Sequence, residues 1–169
     1  MNNYTIWIHG RPSAGKTTIA TELCKQVDNL ILFDGDILRG ILGNKLGYSR
    51  NDRIEQANRI IEYRHTPKNI NKNIVICTNS HFDDNRKIFR DGLDNLLEVY
   101  VKCPLSICVK RDEKGLYKLA LQGKIKYMPG INEEFEEPTK YDMVIHSNVI
   151  DIYKEVQEII KCMKERYYM

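Results

Sequence analysis

The chain has 169 residues, 42% of them hydrophobic and 29% charged, which is enough to bury one core and too little for two separate ones. Its formal net charge is only +3, from 26 lysines and arginines interleaved with 23 acids, so no basic stripe or tail marks it for nucleic acid. No charged-then-apolar leader pattern and no bilayer-length apolar run is present, so a cytoplasmic protein with no membrane partner is expected. Five cysteines, at positions 24, 77, 103, 108 and 162, make no C-x-x-C pair and read as reduced core thiols rather than a metal site.

In chain order, the first apolar run, Tyr4-Thr5-Ile6-Trp7-Ile8, predicts a strand and leads straight into His-Gly-Arg-Pro-Ser-Ala-Gly-Lys-Thr-Thr at 9–18. Ile19, Ala20, Leu23, Cys24 and Val27 follow at helical spacing. A strand, then G-x-x-x-x-G-K-[ST], then a helix is the setting of a Walker A phosphate loop. Gly10 and Gly15 allow backbone angles that turn successive N–H groups inward on an anion at the helix start. The candidate nucleotide cradle is therefore Gly10, Ser13, Ala14, Gly15, Lys16, Thr17 and Thr18. Lys16 would reach the β- and γ-phosphates of ATP, and the Thr17 hydroxyl would serve Mg²⁺.

The second strand, Leu30 to Phe33, runs into Asp34-Gly35-Asp36, with Arg39 one helical turn on. Two carboxylates facing phosphates suit two tasks: one helps hold Mg²⁺ or its water shell, the other accepts a proton from an attacking hydroxyl. Asp36 also stands where an N-cap would precede Ile37-Leu38. From Tyr48 to Tyr63 the pattern predicts a helix with Ile54, Ala57, Ile60 and Ile61 inward and Arg53 and Gln56 on another face. Further strands are expected at Ile74 to Cys77, Leu97 to Val101 and Met143 to Ile145. A closing helix over Ile150 to Met163 would pack Ile152, Val156, Ile159, Ile160 and Met163 on the sheet. Between the last two strands, Lys110 to Lys126 gathers six basic residues around Gly115 and Gly123, a composition that fits either a solvated helix or a mobile lid closing over phosphates.

This alternation predicts an α/β fold of the P-loop NTPase, nucleoside-kinase-like kind: a central, mainly parallel sheet flanked by helices. One domain spans 1–169, with the lid at about 110–132. Ligands of such sheets sit beyond the C-terminal strand ends, where the phosphate loop and Asp34-Gly35-Asp36 fall.

In "GRPSAGKTTIA", "DGDILR", "LGYSRNDRIEQ", "EVYVKCPLSICVKRDEKGLY" and Gly130-Ile131, in that order, the chain resembles the adenylylsulfate (APS) kinases from Ile6 to about Ser147. Members phosphorylate the 3′-hydroxyl of adenosine 5′-phosphosulfate with MgATP. The resemblance implies that Asp36 is the base on the ribose hydroxyl, with Lys16 and Asp34 completing the catalytic set and Thr17 and Asp34 holding the metal. Arg111 and Lys114 would serve ATP from the lid. Arg39, Tyr48, Arg53, Gln56, Ser80, Lys114, Leu116, Met128 and Ile131 would line the acceptor site. The expected partner is a small-molecule nucleotide acceptor, and a homodimer is left open.

Departures from the family pattern fall on the acceptor side. The family's "DRxENxRR" reads Asp52-Arg53-Ile54-Glu55-Gln56-Ala57-Asn58-Arg59, its "ISPYR" reads Asn79-Ser80-His81-Phe82-Asp83, and Met128 replaces an aromatic that would stack on adenine. An acid in place of an arginine turns attraction for an anion into repulsion. A branch of the family in bacterial capsule pathways phosphorylates cytidine 5′-diphosphoramidate, whose smaller base needs less stacking surface and whose NH₂ group can donate to Asp83 or to the Gln56 carbonyl. The chain resembles that branch in length and in these substitutions, and the resemblance makes cytidine 5′-diphosphoramidate the expected acceptor, with APS as the alternative. A GTPase is a poorer fit, since Asn44-Lys45-Leu46-Gly47 lacks the aspartate of a guanine-reading element. A non-catalytic nucleotide-binding module would have no use for Asp34 and Asp36 together with Lys16 and Thr17.

Overall fold

The computed structural model describes residues 3–42, 45–149 and 151–167. Five strands, β1 (Thr5–Gly10), β2 (Leu30–Asp34), β3 (Asn73–Thr78), β4 (Leu96–Lys102) and β5 (Met143–His146), form one sheet in the order β2-β3-β1-β4-β5. All four pairings are parallel, with β1 flanked by β3 and β4. A central parallel strand is covered on both faces, which is why β1 is buried from end to end. The five strands lie where the apolar runs predict them, each longer by one or two residues, with β1 starting at Thr5 rather than Tyr4.

Helices α1 (Lys16–Gln26), α2 (Gly35–Leu42), α3 (Arg50–Arg64), α4 (Asp83–Gly92), α5 (Leu105–Arg111), α6 (Leu116–Leu121) and α7 (Ile152–Tyr167) fill the connections. Side chains alternate along the strands, and two cores result. Ile6 and Ile8 face Ala20, Leu23, Val156, Ile159 and Met163 of α1 and α7. Trp7 points the other way, with Ile74, Ile76, Ala57, Ile60 and Phe89, under α3 and α4. Helix α3 begins at Arg50 rather than Tyr48, because Ser49 and Asp52 close a capping box. Helix α7 runs from Ile152 to Tyr167, past the expected end at Met163, while the expected start at Ile150 lies outside the described residues. Cys77, Cys103 and Cys108 are buried and all five thiols are free. Among the described residues no helix is long and apolar enough to cross a membrane.

One polar cluster is built into the second core. His9 is fully buried between the rings of Trp7 and Tyr100, 4.4 and 5.5 Å away. Its Nε2 lies 2.9 Å from Glu98, which also accepts two bonds from the Arg90 guanidinium at 2.7 and 2.8 Å. Burial pushes the His9 imidazole down to about 4, against the pull of Glu98. Burial alone would lift Glu98, but the bonds from His9 and Arg90 hold it below the usual glutamate range. A neutral ring beside an ionised carboxylate donates from Nε2–H, which leaves Nδ1 as a buried acceptor with no partner.

The sign of the pH effect follows. The unfolded chain binds a proton at His9 below about pH 6.5 and the fold does not until about 4, so stability is full above 6.5 and falls as the pH drops through that window. His9 alone should cost about 2 kcal/mol by pH 5. Urea titrations at pH 7.5 and 5 check this, and His9→Gln, whose amide still donates to Glu98, should flatten the difference.

Candidate active site

The phosphate loop turns at Gly10, where a Cβ would come within 2.4 Å of the Val101 carbonyl oxygen on β4. Helix α1 starts at Lys16 behind Gly15, which offers no side-chain cap, and has no acid in its first turn, so its positive end is left for an external anion. Lys16 is buried and its Nζ donates to the Arg11 carbonyl at 2.6 Å. Burial pushes its ammonium down to about 8, opposed by the nearby Asp36 and Asp34 carboxylates. Ala14 is buried, Ser13 adopts a φ of 60°, and Thr17 and Thr18 are exposed on the first turn of α1.

Thr17 Oγ1 donates to Asp34 Oδ2 at 2.8 Å. The other Asp34 oxygen accepts the N–H groups of Asp36 and Ile37 at 2.9 and 3.2 Å. Asp34, not Asp36, therefore caps α2, because the helix begins at Gly35 and Asp36 already lies in its first turn. Gly35 is forced by packing: a Cβ would sit 2.6 Å from the Cys77 carbonyl oxygen. The donor set suits a divalent cation, as a hydroxyl and a carboxylate converge beside the anion site. Among the described residues no group of three or more His, Cys, Asp or Glu could hold a metal alone, so phosphate and water would supply the other ligands.

Opposite the loop, Asp36 projects from α2 and accepts from Lys114 Nζ at 2.5 Å. Both side chains are 65% exposed, so the pair is weakly held and open to exchange. Arg39 lies 4.5 Å over the Tyr48 ring and Arg53 lies 5.7 Å from it. Arg39 also donates to the Gly47 carbonyl, and Arg53 to the carbonyls of Tyr48 and Tyr127. Gln56 donates from Nε2 to the Gly35 carbonyl at 2.8 Å, leaving its Oε1 buried without a partner. Leu116, just after Gly115, is exposed beside this cleft's lysine. On the other side of the loop, Arg111 ties α5 to the Ser147 carbonyl at 2.7 Å and to the Ala14 carbonyl at 3.4 Å.

The remaining acceptor-side residues fall differently from expectation. Met128 is buried in the core below α1 and α7 and offers no face to a base; the exposed ring next to it is Tyr127. Ile131 is half-buried and packs on the same core. Asp83 is not a bare charge facing an anion: its carboxylate meets Arg90 at 3.3 Å and Arg86 at 3.6 Å. Ser80 is buried with a φ of 39°, its hydroxyl 2.6 Å from Thr78 Oγ1. The basic 110–126 stretch is neither one solvated helix nor featureless: α5 and α6 break at Asp112–Gly115, and Asp112 accepts the N–H groups of Tyr117 and Lys118.

Residues 2–146 match the family model described as Adenylylsulphate kinase. The chain belongs to this family. It is 36% identical to the adenylyl-sulfate kinase of Pseudomonas aeruginosa over 165 residues, covering 94% of this chain and 84% of that protein. It is 34% identical to the probable adenylyl-sulfate kinase of Pyrococcus abyssi, covering 100% of this chain and 99% of that one. The structure superimposes on an APS kinase of Mycobacterium tuberculosis in complex with AMPPNP and APS with a TM-score of 0.87 at 27% identity, covering 96% and 98% of the two chains. Its relatives are ATP-dependent phosphotransferases with a hydroxyl acceptor, and by sequence and fold this chain is a phosphotransferase of that class. These relatives all carry the adenylyl-sulfate name, and none of them speaks for the cytidine branch.

One support of the loop lies inside the family-like "RDEKGLY" and shows only in the structure. Tyr117 is fully buried and its hydroxyl donates to the Pro12 carbonyl at 2.9 Å, across the base of the phosphate loop. Tyr117→Phe strands that buried carbonyl and should destabilise this family member by about 1–2 kcal/mol, as read by urea denaturation.

Proposed function

We propose that this protein is an ATP-dependent kinase that phosphorylates the ribose 3′-hydroxyl of a nucleotide with a compact anionic 5′ tail, adenosine 5′-phosphosulfate being the acceptor its relatives favour. The observation that carries the reading is one cleft with two faces. On one side stand Lys16, Thr17 and Asp34 at the start of α1. On the other stand Asp36, Arg39 and Arg53 around Tyr48, with Lys114 reaching across. The complex of the M. tuberculosis relative with AMPPNP and APS supports two such nucleotide sites here.

In this reading the backbone of 10–16 and the end of α1 cradle the ATP phosphates, with Arg111 and the Ser147 region near the loop's outer side. Lys16 Nζ leaves the Arg11 carbonyl for phosphate oxygen, carrying its charge to where negative charge builds. Thr17 and Asp34 would hold Mg²⁺, which would supply further neutralisation of the phosphates. Arg39 and Arg53 hold the acceptor's anionic tail, and Tyr48 offers its ring to the base. Lys114 must release Asp36 before that carboxylate can accept the 3′-hydroxyl proton. Lys114 is then free to meet the phosphates, and the 110–132 segment acts as a lid.

A second acceptor, cytidine 5′-diphosphoramidate, draws first on the buried Gln56 Oε1, which has no partner. A phosphoramidate NH₂ can donate to it, whereas the sulfate of APS has only acceptors. The burial of Met128 removes a stacking surface that adenine would use more than cytosine.

Coupled ADP release with APS and with cytidine 5′-diphosphoramidate, side by side, tests the proposal. A higher kcat/KM for APS is expected. A higher value for the cytidine compound would transfer the assignment to the second acceptor, and no turnover with either would overturn the 3′-kinase reading. Asp36→Asn keeps the shape but not the base, so kcat should fall by about a hundredfold or more with little change in ATP affinity. Asp34→Asn keeps a good N-cap for α2 but loses the charge beside Thr17. It should raise the Mg²⁺ concentration for half-maximal activity by roughly tenfold while leaving the melting temperature nearly unchanged.

A further inference from the structure

Arg11 follows Gly10 in the phosphate loop, and its two ends do different things. Its carbonyl accepts Lys16 Nζ at 2.6 Å and the Ala14 N–H at 3.2 Å. Its guanidinium leaves the loop altogether: it lies 3.9 Å over the Phe135 ring and donates from Nη2 to Glu137 at 3.1 Å. The other Glu137 oxygen accepts the Tyr100 hydroxyl at 2.6 Å, which fixes the carboxylate to β4. Arg11 Nη1 is buried without a partner against Gly130, where a Cβ would stand 2.8 Å from it. A guanidinium takes this position only if the 130–137 segment is folded around it, since the backbone at Gly130 and the ring at Phe135 form its walls.

The same segment reaches the acceptor side. Arg53 donates to the Tyr127 carbonyl, and Glu133 lies 2.7 Å from the buried His81 and 3.9 Å from Arg53. Glu136 accepts the N–H of Asp83 and lies 3.5 Å from Arg50. Residues 127–137 are thus a strap pinned in alternation along its length: Tyr127, Glu133 and Glu136 to α3 and the β3–α4 turn, and Gly130, Phe135 and Glu137 to Arg11 of the phosphate loop.

We propose that Arg11 is a positioning residue that couples occupancy of the phosphate loop to the seating of the 127–137 strap over the acceptor side. The element with two settings is Lys16, whose ammonium rests on the Arg11 carbonyl or on a bound phosphate. Transfer to phosphate removes a charge-assisted bond from Arg11, and the Arg11 side chain carries the change to Glu137 and Phe135. A link of this kind makes the two nucleotide sites interdependent without any shared ligand atom.

The inference rests on the reading of the loop as an ATP site, and amide hydrogen exchange with Mg-AMPPNP as the probe separates the two. In the unaltered chain AMPPNP should protect 10–18 and should also slow exchange across 127–137 by about fivefold or more. In Arg11→Met, which keeps an apolar stem on Phe135, and in Glu137→Gln, protection of 10–18 should persist while the gain at 127–137 disappears. Arg11→Lys should recover part of it. If AMPPNP leaves 10–18 of the unaltered chain unprotected, the ATP reading fails and the coupling with it. If 10–18 is protected and the strap gains the same protection in Arg11→Met, the coupling alone is wrong. Faster strap exchange in ligand-free Arg11→Met, with the AMPPNP-induced gain intact, marks a plain structural contact and equally overturns it.

Discussion

The working end of the molecule depends on how closely β1 and β4 approach at Gly10. The Val101 carbonyl oxygen occupies the space a side chain would need, so the chain can leave the sheet there only through a glycine. That exit sets the loop between the two central strand ends, with α1 starting directly beneath it. The same closeness recurs one strand over, where Gly35 lies against the Cys77 carbonyl and brings Asp34 and Asp36 to the rim. Two backbone contacts of this kind fix the phosphate loop and the carboxylates relative to each other before any polar side chain acts.

Charge is then distributed around that frame in two distinct ways. His9, Glu98 and Arg90 form a largely buried set in which Glu98 is paired on both sides, His9 Nδ1 is left without a partner, and the cost appears as an acid-sensitive histidine. Asp36 and Lys114, in contrast, pair in the open, where neither is committed. The proposed chemistry calls for the second arrangement, because a group that is to give and take protons or phosphate oxygen cannot be locked in a core network.

The strand pattern, the phosphate loop and the paired aspartates were legible in the sequence because each has a local signature: an apolar run, a glycine spacing, a strand end. Which aspartate caps α2 was not, since the answer turns on one residue of helix register. The surroundings of Met128 and Asp83 differ from expectation for another reason. A motif position identifies a residue, but whether its side chain faces a ligand or the core depends on neighbours distant in sequence, such as Arg90 for Asp83 and the α1 and α7 core for Met128. Arg11 carries no periodic or spacing signal at all, as its partners lie more than a hundred residues away at Phe135 and Glu137.

The buried thiol of Cys77 lies under the loop, its Sγ donating to the Lys16 carbonyl at 3.7 Å. Burial raises its pKa, so it is both shielded and protonated in the closed fold. Cys24 and Cys162 are only partly covered. An alkylating reagent thus meets those two first and reaches Cys77 only when β3 parts from α1, so the lag between the two labelling rates is a clock for opening beneath the phosphates.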